Sequence, residues 1–339
     1  MQLELPGVRI ADVETCDFSL LPRLDTAALL RAARPADGAR YLESAVGRRL
    51  VAELGVRHRH LTQVPGRPAA PDRLNAFDLA RSAVSRLARR RAAALARLDA
   101  VIFVSTSNPN PCNSQAALLA DELGLRASCV DLKAGCSGGV FGVAQGALLL
   151  QAGCERVLIV MAENLSQLTP ADDLRMLLTV GDGAACVLLE RAPGAGFLSV
   201  IHGTAPEFAP AMTVSTPFPP ATGDASYVYQ VRDARPTGAF IHDRWRALYQ
   251  ESLAALGGVP PDWWFFHQTH GAQVDGLLAE HCVDPDRAVK VVHTHGNMGT
   301  PTFAVAMARA FPRLVRGERY LLQAVGGGIS WCAIAAEHA

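Results

Sequence analysis

Apolar side chains recur along this chain in two alternating rhythms. Residues 101–105, 127–132 and 156–162 are unbroken or nearly unbroken apolar runs, the pattern of strands buried on both faces. Between them, residues 114–123, closed by Gly124, and residues 138–151 carry helical spacing. Upstream, residues 76–98 interleave apolar side chains with arginines and predict an amphipathic helix. A comparable order follows later: a helix over 240–256, a strand over 263–266, a helix over 271–281, a strand over 289–293 and a helix over 302–311. Each series ends on a glycine turn that enters an apolar strand, GDGAACVLL at 181–189 and GGGISWCAIA at 326–335. The alternation predicts α/β layering in two halves of similar design, 1–192 and 193–339. Residues 192–236, rich in Pro, Gly, Ala and Thr, read as a boundary or a loop covering a site.

Composition narrows the class. With 339 residues, 50% hydrophobic and 19% charged, the chain can bury a large core and lacks the signature of disorder. Its 32 basic and 32 acidic side chains cancel, which argues against a nucleic-acid partner. The 8 cysteines are scattered singly, which predicts reduced thiols and a cytoplasmic protein. The opening MQLELPGVRI has no basic region followed by an apolar stretch, and no segment reaches the ~18 apolar residues of a membrane helix. Neither export nor membrane insertion is expected. Lys133 and Lys290 are the only lysines, so arginine is the default cation and its clusters carry less weight. The arginine-rich helix reads first as a solvated face, and second as a docking patch for an acidic partner.

Cys136, in KAGCSGG, lies between a predicted strand and a helix rich in small residues. At a helix N-terminus the free N–H groups and the macrodipole favour thiolate, and flanking glycines let a substrate approach; a small thiol packing the sheet is the plainer alternative. Imidazoles follow two later runs, at His267 and His270 in FHQTH and at His293 and His295 in HTHGN. Strand ends converge on the crevice in α/β folds, so these clusters can meet Cys136. They also suit turn capping, or a zinc site of up to four imidazoles.

These motifs together, KAGCSGG, GDGAACVLL, FHQTHGAQV, HGNMGTPT and the terminal GGGISW, resemble the β-ketoacyl-acyl-carrier-protein synthase III family of the thiolase superfamily. The resemblance spans nearly the whole chain. It implies the five-layered αβαβα thiolase fold, a homodimer, and acyl-coenzyme A or acyl-carrier-protein thioesters as substrates, with no cofactor and no metal. Cys136 would be acylated, His267 and Asn297 would stabilise an enolate from a malonyl-type thioester, and the backbone N–H groups of Cys136 and Gly327 would form the oxyanion hole.

Departures from the family pattern point to a specialised, polyketide-type member. In LVAELGVRHRHL, the family's adenine-binding tryptophan and arginine align with Arg49 and Glu53. His270 stands where the family has asparagine, and Ala272 where it has a carrier-docking arginine. Asn110 lies where a partner's aromatic ring often closes the acyl pocket; with His270 and Val325 it is expected to bind substrate. Arg244, Arg246 and the helix at 81–97 are the candidate carrier-docking surface, and Cys112 reads as a buried structural thiol. Intact Asn297 favours condensation over acyl transfer to a hydroxyl or amine, in which His270 would be an additional base. A non-catalytic partner subunit is a third reading, disfavoured by the presence of Cys136, His267 and Asn297.

Overall fold

A computed structural model of the chain describes residues 2–67, 70, 72–110, 112–214, 228–231 and 234–339. The chain opens with β1 (Gln2–Thr15), β2 (Arg23–Asp25), α1 (Thr26–Ala33), α2 (Gly38–Glu43), α3 (Ala45–Leu54) and β3 (His58–His60). Next come α4 (Ala76–Leu95), β4 (Ala100–Val104), α5 (Gln115–Glu122), β5 (Ser128–Leu132), α6 (Gly138–Gln151), β6 (Arg156–Asn164), α7 (Leu174–Thr179) and β7 (Asp182–Thr204). The rest comprises β8 (Met212–Val214), β9 (Tyr229–Val231), α8 (Ala234–Ala255), β10 (Trp263–Phe266), α9 (Gly271–Glu280), α10 (Val292–His295), α11 (Thr302–Ala310), β11 (Arg319–Gly326) and β12 (Ser330–Glu337).

Strand order is β10-β11-β12-β7-β6-β4-β5, with β1 antiparallel along β7. From one end, β5, β4 and β6 are parallel and β7 turns back; from the other, β10 and β11 are parallel and β12 turns back. The early part of β7 pairs with β6 and its later part with β12, so one long strand joins two similar sheets. Position 192, where the sequence suggests a boundary, falls inside β7.

Side-chain alternation along the strands makes five layers. On β6, Val157, Ile159 and Met161 face one core with α6 and α11, while Leu158, Val160 and Ala162 face another with α4 and α5. The first core also takes Leu322 and Ala324 of β11 and Cys332 and Ile334 of β12, so α6 and α11 lie between the two sheets. On the far side, Leu321 of β11 and Ala333 and Ala335 of β12 pack with α8 and α9. The result is the αβαβα arrangement that the resemblance implies.

The amphipathic helix is α4. Asn75 caps it in a reciprocal box with Asp78, Leu79, Ala83 and Leu87 face the core, and it kinks at Arg91. One expected strand is absent: residues 289–291 are irregular and lead into α10. The reason is Gln268, whose Oε1 accepts the N–H groups of Val291 and Val292 at 2.8 and 3.1 Å and whose Nε2 donates to the Val289 carbonyl at 2.8 Å. A buried side-chain amide meets the backbone requirement that a neighbouring strand would otherwise meet. The apolar run is buried, as its composition requires, without being a strand.

Candidate active site

The turn between β5 and α6 carries Cys136. Gly135 has φ +56°, and a Cβ there would stand 1.9 Å from the Gly327 carbonyl oxygen. A Cβ on Gly326 would stand 2.8 Å from the Cys136 nitrogen. The cysteine turn and the terminal glycine turn are thus packed backbone on backbone, which only glycine permits. The Ser137 and Ser330 hydroxyls share a hydrogen bond of 2.6 Å, and the Ala134 carbonyl, 2.9 and 3.1 Å from them, accepts from one of the two, which pins the turns together. Burial pushes the Cys136 thiol up to about 11, and the hydrogen bond from the Gly327 N–H only partly opposes it. This reverses the expected depression: desolvation of the thiolate outweighs the helix terminus. At rest the residue is a thiol.

His267 directly follows β10 and extends its pairing, its N–H donating to the Gln323 carbonyl at 2.9 Å. Its imidazole is buried and pushed down to about 4 by that burial, so it is neutral near pH 7. Asn297 follows α10. Its backbone exchanges hydrogen bonds with Thr179 (2.7 Å) and Gly181 (2.9 Å). Its side-chain Oδ1 accepts the Gly299 N–H at 2.9 Å, an assignment set by the donor, and this leaves Nδ2 as a free donor.

Two cavities meet at these residues. The larger, about 650 Å³, is lined by Cys136, His267, His270, Val325 and residues of α8 and α9, including Trp245 and Leu277. The smaller, about 310 Å³, is lined by Thr106, Lys133, Leu165, Met176 and Tyr229. Cys136, Met212, Asn297 and Gly327 line both, so the thiol stands at the junction. The segment between the halves contributes Met212 and Tyr229, which fits its reading as a loop covering a site.

The other expected site residues are placed as follows. Nδ1 of His270 caps α9 by accepting the Gln273 N–H at 3.2 Å. Its neutral form therefore carries hydrogen on Nε2 and serves as a donor, which corrects the reading of an additional base. Arg244, on α8, pairs with Glu251 at 2.6 Å and lies 4.9 Å over the Trp331 ring; Arg246 pairs with Glu280, a lining residue of the larger cavity. On α4, Arg81 pairs with Asp78 and Glu122, Arg86 with Glu14, Arg90 with Asp12 and Glu14, and Arg91 with Asp12. That helix's arginines are largely neutralised from within the chain. Arg49 is exposed, and Glu53 pairs with Arg175 at 3.1 Å.

Asn110 is not among the residues lining either cavity; its Oδ1 accepts the N–H groups of Cys112 and Asn113 at 3.0 and 3.2 Å. Cys112 is exposed, which corrects its reading as a buried structural thiol. The zinc alternative fails on geometry. His270 is a helix cap, His293 contacts the Gly55 carbonyl at 2.7 Å, and the His295 ring packs between those of Phe18 and His60 at 4.5 and 5.0 Å. Among the described residues no group of three or more His, Cys, Asp or Glu is placed to hold a metal.

Sequence reasoning missed Glu163. Wholly buried, it accepts hydrogen bonds from Ser107 (2.5 Å), Thr106 (3.0 Å) and Thr300 (3.0 Å), and burial raises its pKa. Thr106 in turn contacts the Tyr229 hydroxyl at 3.0 Å. One carboxylate thus ties the wall of the smaller cavity to the turn that holds Asn297. The only local signal was a lone acid at the end of the apolar run of β6.

The buried imidazoles make stability pH-dependent. His267 at about 4 and His295 at about 3 lie below the ~6.5 of a free imidazole, so the unfolded chain binds more protons below that value. Stability is therefore full above about pH 6.5 and falls as pH drops towards 4, by up to about 1.4 kcal/mol per pH unit for each histidine. Urea unfolding should show a lower midpoint at pH 5 than at pH 7.5. An unchanged midpoint would contradict the assignment.

Comparison with known proteins places this chain in a family. The family model of 3-oxoacyl-[acyl-carrier-protein] synthase III matches residues 130–206, and that of its C-terminal part matches residues 260–338. A β-ketoacyl-[acyl-carrier-protein] synthase III of Streptomyces coelicolor is 30% identical over 276 residues, covering 76% of this chain and 81% of the relative. The chain belongs to the β-ketoacyl-acyl-carrier-protein synthase III family. Another family member, from Alkalilimnicola ehrlichii, is 29% identical over 283 residues, covering 78% of this chain and 84% of the relative. The solved synthase III from Thermus thermophilus superposes with a TM-score of 0.82 at 25% identity, covering 97% of this chain and 99% of that one. Like those synthases, this family member has the mixed α/β thiolase fold, and among its described residues no helix is long and apolar enough to cross a membrane.

Proposed function

We propose that the chain forms an acyl thioester on Cys136 and condenses it with a malonyl-type thioester in a decarboxylative Claisen reaction. The observation that carries this reading is the fixed orientation of Asn297, whose Nδ2 is left to donate in the cavity that Cys136 and neutral His267 also line. In the first half-reaction, sulfur attacks the donor carbonyl and the donor's thiol leaves with the proton. Backbone N–H groups of Cys136 and Gly327 meet the developing oxyanion. In the second, His267 and Asn297 donate to the thioester oxygen of the malonyl group, the bond to its carboxylate breaks, carbon dioxide leaves and an enolate forms. That carbon attacks the acyl-enzyme, and the carbon–sulfur bond breaks to return Cys136. Neutral donors suit this step because they stabilise charge only as it develops.

His267 lines only the larger cavity, so the malonyl thioester enters there and the acyl chain occupies the smaller one. Substrates arrive on coenzyme A or on an acyl carrier protein, with Arg244 and Arg246 beside the larger cavity as the docking candidates, and no cofactor is needed. A cytoplasmic homodimer and a role in specialised, polyketide-type synthesis complete the proposal. The latter is supported by exposed Arg49 and by Glu53, already paired with Arg175, at the positions for adenine contact.

Acyl transfer to a hydroxyl or amine is the second reading, favoured by neutral His267, which lines the larger cavity beside Cys136 and could take an acceptor's proton there. Intact-protein mass spectrometry separates the two. A Cys136 adduct discharged by a malonyl thioester with release of carbon dioxide is the expected result. Discharge only by an alcohol or amine would establish transfer, and absence of any adduct would defeat both.

A further inference from the structure

We propose that Glu163 is a positioning residue for the two side-chain donors of the condensation step, and that it serves discharge of the acyl-enzyme and not its formation. This rests on the condensation reading above. Glu163 is wholly buried and is not among the residues lining either cavity, so it acts through its neighbours. Chief among them is the turn after Asn297. The Thr300 hydroxyl donates to Glu163 Oε1 at 3.0 Å, and the acid's stem packs on Gly299, where a Cβ would stand 3.3 Å from Glu163 Cγ. Gly299, at φ +66°, serves both donors. Its N–H orients the Asn297 amide by donating to Oδ1 at 2.9 Å. Burial lowers the His267 imidazole, and a hydrogen bond with the Gly299 backbone partly opposes it.

The rest of the carboxylate is held as firmly. It accepts the Thr106 N–H at 3.0 and 3.1 Å, the Ser107 N–H at 3.1 Å, and the hydroxyls of Thr106 and Ser107 at 3.0 and 2.5 Å. Backbone N–H groups only donate, so this cradle favours the ionised form: burial raises the Glu163 pKa, and the hydrogen bonds from Ser107, Thr106 and Thr300 oppose the rise. A glutamine has the same shape but must turn an NH2 group towards some of these donors, so the Gly299–Thr300 turn loses its anchor. With the turn loosened, Asn297 can present Oδ1 in place of Nδ2, and the enolate then meets an acceptor where it needs a donor. Acylation does not depend on that turn, because its oxyanion hole is the backbone N–H of Cys136 and Gly327. There the acid acts through charge alone. Burial is the chief reason the Cys136 thiol lies high, and the Glu163 carboxylate adds to it. Removing that charge eases formation of the thiolate, so one substitution acts in opposite directions on the two half-reactions.

The test follows both half-reactions on the full chain by intact-protein mass spectrometry: acylation of Cys136 by whichever straight-chain acyl N-acetylcysteamine thioester the wild type accepts fastest, and discharge of that adduct by malonyl N-acetylcysteamine thioester. In Glu163→Gln, acylation at pH 7.5 should be at least as fast as in the wild type, with its rise displaced to lower pH, while discharge slows about a hundredfold, the cost of a small misplacement of a catalytic group. Thr300→Val removes the hydroxyl anchor and leaves the charge. It should slow discharge about tenfold without moving the pH profile of acylation, and Thr300→Ser should restore most of the loss. Should Glu163→Gln not fold, the two Thr300 variants decide the matter. Discharge at the wild-type rate in Glu163→Gln or Thr300→Val, or acylation and discharge slowed together, overturns the proposal while leaving the condensation reading intact. A wild-type adduct that the malonyl thioester does not discharge, or no adduct with any donor, overturns that reading along with it.

Discussion

Cys136→Ala should abolish the covalent acyl adduct and lower condensation by at least about a thousandfold, since no other group can carry the acyl chain between half-reactions. It should also separate two activities that the geometry keeps apart. Decarboxylation of a malonyl thioester needs only His267 and the Asn297 amide, so the variant should still release carbon dioxide while making no condensed product. Carbon dioxide release and product formation, measured in parallel, check both halves. Retention of product formation would remove Cys136 from the chemistry. Because burial pushes the Cys136 thiol up to about 11, adduct formation in the wild type should accelerate with pH between 7 and 9, as the thiolate fraction grows about tenfold per unit below the pKa.

That raised thiol marks the limit of what could be read from residue order. The position of Cys136 between a strand and a glycine-rich helix was legible, because turn glycines and apolar rhythm are local. The sign of its titration was not. It depends on how much water the second half of the chain removes when Gly326 and Gly327 are laid against the turn, and that contact joins residues far apart in sequence. His267 and Asn297 were legible as polar groups following apolar runs. Their protonation and orientation came only from the packing around them and from the Gly299 N–H.

The absent strand over 289–293 has the same origin. Local pattern specifies burial, but whether a buried backbone pairs with a strand or with an amide is decided by its neighbour in space, here Gln268. The arginines of α4 show the converse. Their spacing reads first as a solvated face and second as a patch for an acidic partner, but Asp12 and Glu14 of β1, adjacent only after folding, occupy several of them. The even balance of 32 basic and 32 acidic side chains is partly this internal pairing.

Asn297→Ala and His267→Ala should each lower condensation by about a hundred- to a thousandfold, the cost of removing one donor from a preorganised oxyanion site. Both should still form the Cys136 adduct, because the oxyanion hole for acylation is backbone N–H, unaffected by either side chain. The loss should therefore fall on discharge of the adduct by malonyl thioester, read as a long-lived acyl-enzyme by mass spectrometry. The double variant should lose much less than the product of the single effects, since both donors act on one oxygen. Asn297→Asp keeps the size of the side chain and replaces the free Nδ2 donor with a carboxylate oxygen. It should be at least as damaging as alanine, because an anion then faces the developing enolate. If Asn297→Asp discharges the adduct at the wild-type rate, the amide is not a donor in the reaction and acyl transfer through His267 becomes the better reading.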